Sequence, residues 1–151
     1  MNTFKSILFI SFVLLLVGCG TNPESQGNND IELNQISTTA NAIDQGPANQ
    51  AKEYLSKYEE ITSIKAVNTS KKLIVAIEIE HHERFGLADF REKRKKEMKE
   101  KFPNMEVELS TDKKIVLELE RIEKALESES VSKKELEKAL DQVISLSKEQ
   151  T

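Results

Sequence analysis

Ile64-Lys65-Ala66-Val67-Asn68-Thr69-Ser70-Lys71-Lys72-Leu73-Ile74-Val75-Ala76-Ile77-Glu78-Ile79 is the stretch whose reading decides the fold. Asn68-Thr69-Ser70 is a turn cluster, and after it Leu73, Val75, Ile77 and Ile79 alternate with Ile74, Ala76, Glu78 and Glu80. Alternation with a period of two marks strands, and a turn cluster between two such runs predicts a β-hairpin with one buried face.

Working outward, residues 49 to 60 place Ala51, Tyr54, Leu55 and Tyr58 at helical spacing, which predicts a first helix with Lys52, Glu53, Lys57 and Glu59 in water. Beyond the hairpin, Leu87, Phe90, Met98 and Phe102 share one helical face, and Pro103 stops that helix because proline disfavours helical backbone at the residue before it. Arg94 falls inside this stripe, where its stem is expected to cover the core edge while the guanidinium reaches water. Met105, Val107 and Leu109 alternate with Glu106 and Glu108, predicting a third strand with an exposed charged face.

Residues 113–120 read two ways. Lys113 to Glu120 alternates much as Lys71 to Glu78 does, whereas Ile115, Leu119, Ile122 and Leu126 form a helical stripe that Ser110 or Thr111 can cap. The unbroken stripe favours helix. Ser132-Lys133-Lys134-Glu135 is a capping box ahead of Leu136, Leu140, Val143 and Ile144, so residues 126–147 end in a helical extension. The expected class is α+β: an α-β-β-α-β-α unit with helices packed on one face of a three-stranded sheet, needing no cofactor to fold.

The chain before this domain, residues 51–147, has a different character. Lys5 precedes an apolar run from Ile7 to Val17 broken only by Ser11, and Leu16-Val17-Gly18-Cys19 follows. A positive start and a short apolar core are the parts of a secretory signal, here over residues 1–18, but cysteine stands where the usual small-x-small cut site would end. This is the pattern of a lipobox, after which Cys19 becomes a diacylated N-terminus. A transmembrane helix is the competing reading, but it needs about 20 apolar residues. Cys19 is the single cysteine of the chain, which excludes an intrachain disulfide. Two acyl chains suffice for stable anchoring where one gives marginal binding. The expected location is therefore the outer face of a bacterial cell membrane, held by acyl groups such as palmitate on Cys19.

Residues 19–50 are rich in Asn, Gln, Ser, Thr and Gly, and Glu24, Asp30, Glu32 and Asp44 stand there without a single Lys or Arg. Such a stretch buries too little to offset its ordering entropy and reads as a flexible tether, with a reach of roughly 30 Å. The whole chain carries 22 Lys and Arg against 26 Asp and Glu, a net charge of -4 that leaves no footprint for nucleic acid.

Motifs for chemistry are sparse. His81 and His82 are adjacent, so an extended chain sends them to opposite faces, and no other histidine or free cysteine exists to complete a metal site. Phosphate loops, nucleophile elbows and triads are missing from the sequence, and Glu78, Glu80, Glu106 and Glu108 fall on an expected solvent face. The reading is non-enzymatic, with a wall-modifying enzyme as the remaining alternative. The candidate surface is the run Arg91, Lys93, Arg94, Lys95, Lys96, Lys99 and Lys101, which also contains three glutamates. It can meet an acidic envelope protein, an anionic wall polymer, or the membrane itself, where each basic residue is worth about 1 kcal/mol. The plain alternative is a solvated helix face with Glu92–Lys96 and Glu97–Lys101 pairs.

The lipobox, the tether, the hairpin from Ile64 to Ile79, the lysine-rich helix running into Lys101-Phe102-Pro103-Asn104-Met105-Glu106-Val107, and the step Glu108-Leu109-Ser110-Thr111-Asp112 together resemble the YhcN/YlaJ-type sporulation lipoproteins of Bacillus-like spore formers. The resemblance covers roughly residues 50 to 126 and the signal. It implies a lipid-anchored protein of the spore membrane serving sporulation or germination, with no catalytic residue to carry over. The chain differs in having Asp112-Lys113-Lys114 where Asp-Pro-Asp is frequent, and in its C-terminal helix.

Overall fold

The hairpin forms as its alternation requires. In the computed structural model, which describes residues 33, 35, 36, 43–80 and 86–149, β1 (Ile61–Asn68) pairs antiparallel with β2 (Lys72–Ile79), with Ile64 opposite Ile77 and Ala66 opposite Val75. Thr69 makes the turn: its N–H donates to Lys72 O at 2.9 Å, and its hydroxyl accepts from the Lys72 N–H at 3.1 Å. A register shift between Ile61 and Ser63 marks an irregularity at the start of β1.

α1 (Gly46–Leu55) precedes the hairpin, and α2 (Leu87–Lys101) carries the chain from β2 to β3 (Glu106–Ser110). β3 runs parallel to β2, Leu73 opposite Val107, which is the geometry that a helical crossover permits and a tight turn does not. The sheet order is β1-β2-β3, an α+β mixed sheet. Two helices close the chain, α3 (Lys113–Glu127) and α4 (Lys133–Glu149), so residues 113–120 are helical. Asp112 caps α3, its carboxylate accepting from the Lys114 N–H at 2.6 Å, while Ser110 accepts from Asp112 N–H instead. The cap thus falls one residue beyond the Ser110-Thr111 pair that the sequence suggested.

The helices cover both faces of the sheet, not one. Leu73, Val75 and Ile77 meet Ala48, Ala51 and Leu55 of α1 and Met98 of α2, whereas Ile74, Ala76 and Val67 meet Ile115 and Leu119 of α3 and Leu140 and Val143 of α4. β2 is the central strand, and its apolar run from Leu73 to Ile77 is buried on both sides, as continuous apolar strands are. The C-terminal helix is therefore part of the core, and Lys72 of β2 pairs with Asp141 of α4 at its margin.

The folded unit also begins before residue 51. α1 starts at Gly46, Pro47 occupies the first turn, and Ala48 and Gln45 are fully buried inside the stretch expected to be tether. Asn68 is the reason: its Oδ1 accepts the Ala48 N–H at 3.0 Å, its Nδ2 donates to Asp44 O at 2.9 Å, and Gln45 bonds its main chain on both groups. Ile36 is buried too, exchanging two hydrogen bonds of 3.1 Å with the Asn49 side chain. The helix ends at Leu55, so Tyr58 lies in the loop that follows it.

The capping box forms as read. Ser132 Oγ accepts from Glu135 N–H at 3.4 Å, and Glu135 Oε2 takes the Ser132 N–H at 2.9 Å and its hydroxyl at 2.6 Å. The Ser132 hydroxyl, then its N–H, hold the Glu135 carboxyl below the usual range. A depressed carboxylate stabilises the fold above its unfolded value, near 4.3, and that contribution disappears as pH falls through the lower folded value. Ser132→Ala is expected to return Glu135 to ordinary titration, read by NMR from its side-chain carbon shift. An unchanged midpoint would refute the assignment.

Candidate functional site

α2 carries the basic run, and its faces do different work. Asp89 stands in its first turn and Lys99 and Lys101 in its last, the arrangement the helix dipole favours. Gly86 caps its start at φ 88, a left-handed backbone that glycine adopts without strain.

The inner face buries Met98, Phe102 and Arg94, the last only 5% exposed. Its guanidinium does not reach water. It lies 4.0 Å from the centroid of the Tyr58 ring and 5.2 Å from that of Phe90, and its Nη2 donates to Glu97 Oε1 at 2.9 Å. Stacking over two rings suits a weakly hydrated planar cation. Among the described residues, Arg94 Nε has no hydrogen-bond acceptor.

Glu97 gathers the rest of this cluster. Tyr54 Oη donates to Glu97 Oε2 at 3.3 Å, and Tyr58 Oη lies 3.2 Å from both that oxygen and Tyr54 Oη. Tyr54, Tyr58 and Phe90 meet edge to face, with centroids 5.9 and 6.2 Å apart. Burial, then the Tyr54 hydroxyl, push the Tyr58 phenol well above the ordinary tyrosine range, with Arg94 opposing in part. A phenol that holds its proton so firmly is no base or nucleophile near neutral pH. The cluster fastens α2 to α1.

The flank of α2 nearest β3 is engaged as well. Lys95 reaches past the edge strand to Glu108, Nζ to Oε1 2.8 Å, with both side chains largely covered, and Ser147 Oγ of α4 approaches the same oxygen at 3.5 Å. Glu108 is thus not the solvent-facing acid that the alternation predicted, although Glu106 remains exposed and pairs with Lys148 at 3.6 Å. Arg91 meets its neighbour Glu92 at 3.3 Å on the surface. Glu92 and Glu97 therefore take arginine partners rather than Lys96 and Lys101, and Lys101 instead lies 5.4 Å from the Tyr54 ring centroid.

Of the seven basic candidates, Lys93, Lys96, Lys99 and Lys101 are exposed, Arg91 and Lys95 are half-buried, and Arg94 is buried. The exposed lysines at 93, 96 and 99 recur every three residues and share the outer side of α2. His81 and His82, with Cys19 and the signal, lie outside the described residues. Among the described residues no group of three His, Cys, Asp or Glu side chains is placed to hold a metal, and no helix is long and apolar enough to cross a membrane.

One buried site was invisible to the surface reading. Lys52 is only 1% exposed, against the expectation that it stays in water, and its Nζ lies 2.7 Å from Glu123 Oε1 of α3. The same oxygen accepts the Ala66 N–H at 3.0 Å, and Lys65 stands 3.8 Å from Oε2. Because α1 and α3 cover opposite faces, this pair passes around the edge of β1. No protein-family model, no curated protein and no solved structure matches the chain.

Proposed function

We propose that this chain is a lipid-anchored, non-enzymatic protein of the outer face of a bacterial membrane, whose α+β domain binds an acidic envelope protein or an anionic wall polymer. The reading rests on Lys5, the apolar run to Val17 and the Leu16-Val17-Gly18-Cys19 step, which together supply a signal and a diacylated cysteine. The exposed lysines at 93, 96 and 99 supply the binding surface, since their neighbours Arg94 and Lys95 are spent inside the fold. By the resemblance to YhcN/YlaJ-type lipoproteins, its setting is the spore membrane during sporulation or germination.

A second reading is favoured by the same three lysines: α2 lies on anionic headgroups of the membrane that carries the anchor. Cys19→Ala is expected to abolish labelling by a palmitate analogue and to move the full chain from the membrane to the soluble fraction. An uncut, membrane-bound variant would restore the transmembrane reading. Flotation of the released variant with phosphatidylglycerol vesicles at low salt would favour the headgroup reading, and its absence would leave the partner-binding one.

A further inference from the structure

Two apolar residues ahead of α1 rest on opposite sides of the sheet. Leu33 packs on the core cluster that holds Ala51, Leu55 and Met98, on the side of α1 and α2, whereas Ile43 packs on the cluster that holds Ile115 and Leu140, on the side of α3 and α4. Between them Ile36 is buried although it belongs to no helix or strand, and Gln35 beside it is exposed. One side chain holds the Ile36 main chain: Asn49 Oδ1 accepts its N–H and Asn49 Nδ2 donates to its carbonyl, both at 3.1 Å. The start of the domain proper is secured separately, because Gln45 and Glu123 plug the β1 edge at Asn68 and Ala66.

We infer that residues 33–36 are a latch, seated by Ile36 and clasped by Asn49, which sets both the length of the leash to Cys19 and the side of the domain from which that leash leaves. Few contacts hold it and none of them is shared with the β1 plugs, so it opens without opening the rest. Closed, the chain from Cys19 joins the domain at Leu33, on the side where α2 displays Lys93, Lys96 and Lys99. Open, it joins at Ile43, on the side of α3 and α4. At roughly 3.5 Å per residue the leash spans at most about 50 Å through residues 20–32 and at most about 85 Å through residues 20–42. The closed state therefore keeps the lysine side of α2 nearer the anchor, and the open state lets the domain stand further out and turn that side away. A partner that holds the domain beyond the shorter reach favours the longer state, and this difference is what shifts the equilibrium. The effect on orientation rests on the lipid anchor proposed at Cys19; the latch itself does not.

Hydrogen exchange on the full-length protein in detergent micelles tests the latch. Ile36→Ser keeps the main-chain bonds and loses the apolar seat, and should lower the protection of the residue 36 amide at least tenfold while the amides of Ala51 to Leu55 and of β2 keep theirs. Unchanged protection at 36 would overturn the proposal, and so would a loss throughout α1, which would make Ile36 an ordinary part of the core. Orientation is read with the palmitate-labelled protein in phosphatidylcholine nanodiscs that carry a spin-labelled headgroup. Paramagnetic relaxation at the 93–99 amides should be at least twice that at 138–145, and Ile36→Ser and Asn49→Ala should each erase the difference. A difference that survives both variants would overturn the orientation role. A chain that takes no label and stays off the nanodiscs would overturn that role through the anchor, with the latch judged by exchange alone.

Discussion

Glu123→Ala is expected to cost about 3–5 kcal/mol, the usual penalty for leaving one member of a buried ion pair without its partner. Stabilities of small domains run at about 5–15 kcal/mol, so this single change removes a large share and should shift the urea midpoint accordingly. Two groups lose Glu123 together: the Lys52 ammonium, 1% exposed, and the Ala66 N–H, which faces away from β2. Glu123→Gln keeps an oxygen for Ala66 and loses only the charge, so its loss should be smaller. Adding Lys52→Met to that variant should recover most of the remainder, because a neutral pair no longer buries an uncompensated charge. A double-mutant cycle checks this, and additive losses would show that the two residues act separately. The alanine variant should also self-associate as concentration rises, since it strips the plug from the β1 edge.

That pair is written in the sequence as two interrupted apolar stripes. Lys52 sits among Ala48, Ala51 and Leu55, and Glu123 sits with Val116, Leu119 and Ile122, so each charge interrupts an apolar stripe. One such interruption reads as a snorkelling side chain. Two of opposite sign on different helices are a pairing signal, yet only the topology says that α1 and α3 meet around one strand. The same holds for the second face of the sheet: Leu73 to Ile77 is a continuous apolar run, which is the mark of burial on both sides. Reading it as alternation discarded Ile74 and Ala76, the residues on which α3 and α4 rest.

Local chemistry was more legible than long-range contact. The Ser132–Glu135 box, the stop at Pro103 and the α3 stripe depend on neighbours within one or two turns, and the sequence displays them directly. Asn68 looked like a turn residue and nothing more, since its partners Asp44, Gln45 and Ala48 lie more than twenty positions away or exactly at that span. For the same reason the folded unit begins earlier than composition suggests. Polar composition from 43 to 50 suggested tether, but those polar groups have buried partners that composition does not reveal.

Arg94 and the lysines at 93, 96 and 99 face opposite ways on one helix, the first into the core and the others into solvent. Arg94→Ala is expected to cost about 2–3 kcal/mol, combining the loss of a largely desolvated cation–π contact with that of its buried stem. The loss falls on the joint between α1 and α2, where Tyr58, Phe90 and Glu97 all lean on the guanidinium. Arg94→Met retains the stem and should lose less, the difference measuring what the charge contributes. K93A/K96A/K99A is expected to do the reverse: no shift in the urea midpoint, because these side chains are exposed, but weaker retention on an anionic wall polymer. The proposed polymer contact is one between exposed charges, so raising the salt from about 0.05 to about 0.5 M should release the wild-type protein as screening shortens to a few ångströms. If instead Arg94→Ala keeps full stability and loses polymer binding, the guanidinium leaves its rings in solution and the basic run acts as one surface. If it unfolds more easily while retaining polymer at low temperature, the run divides as its geometry requires, with Arg94 holding the helix in place and the outer lysines making the proposed polymer contact.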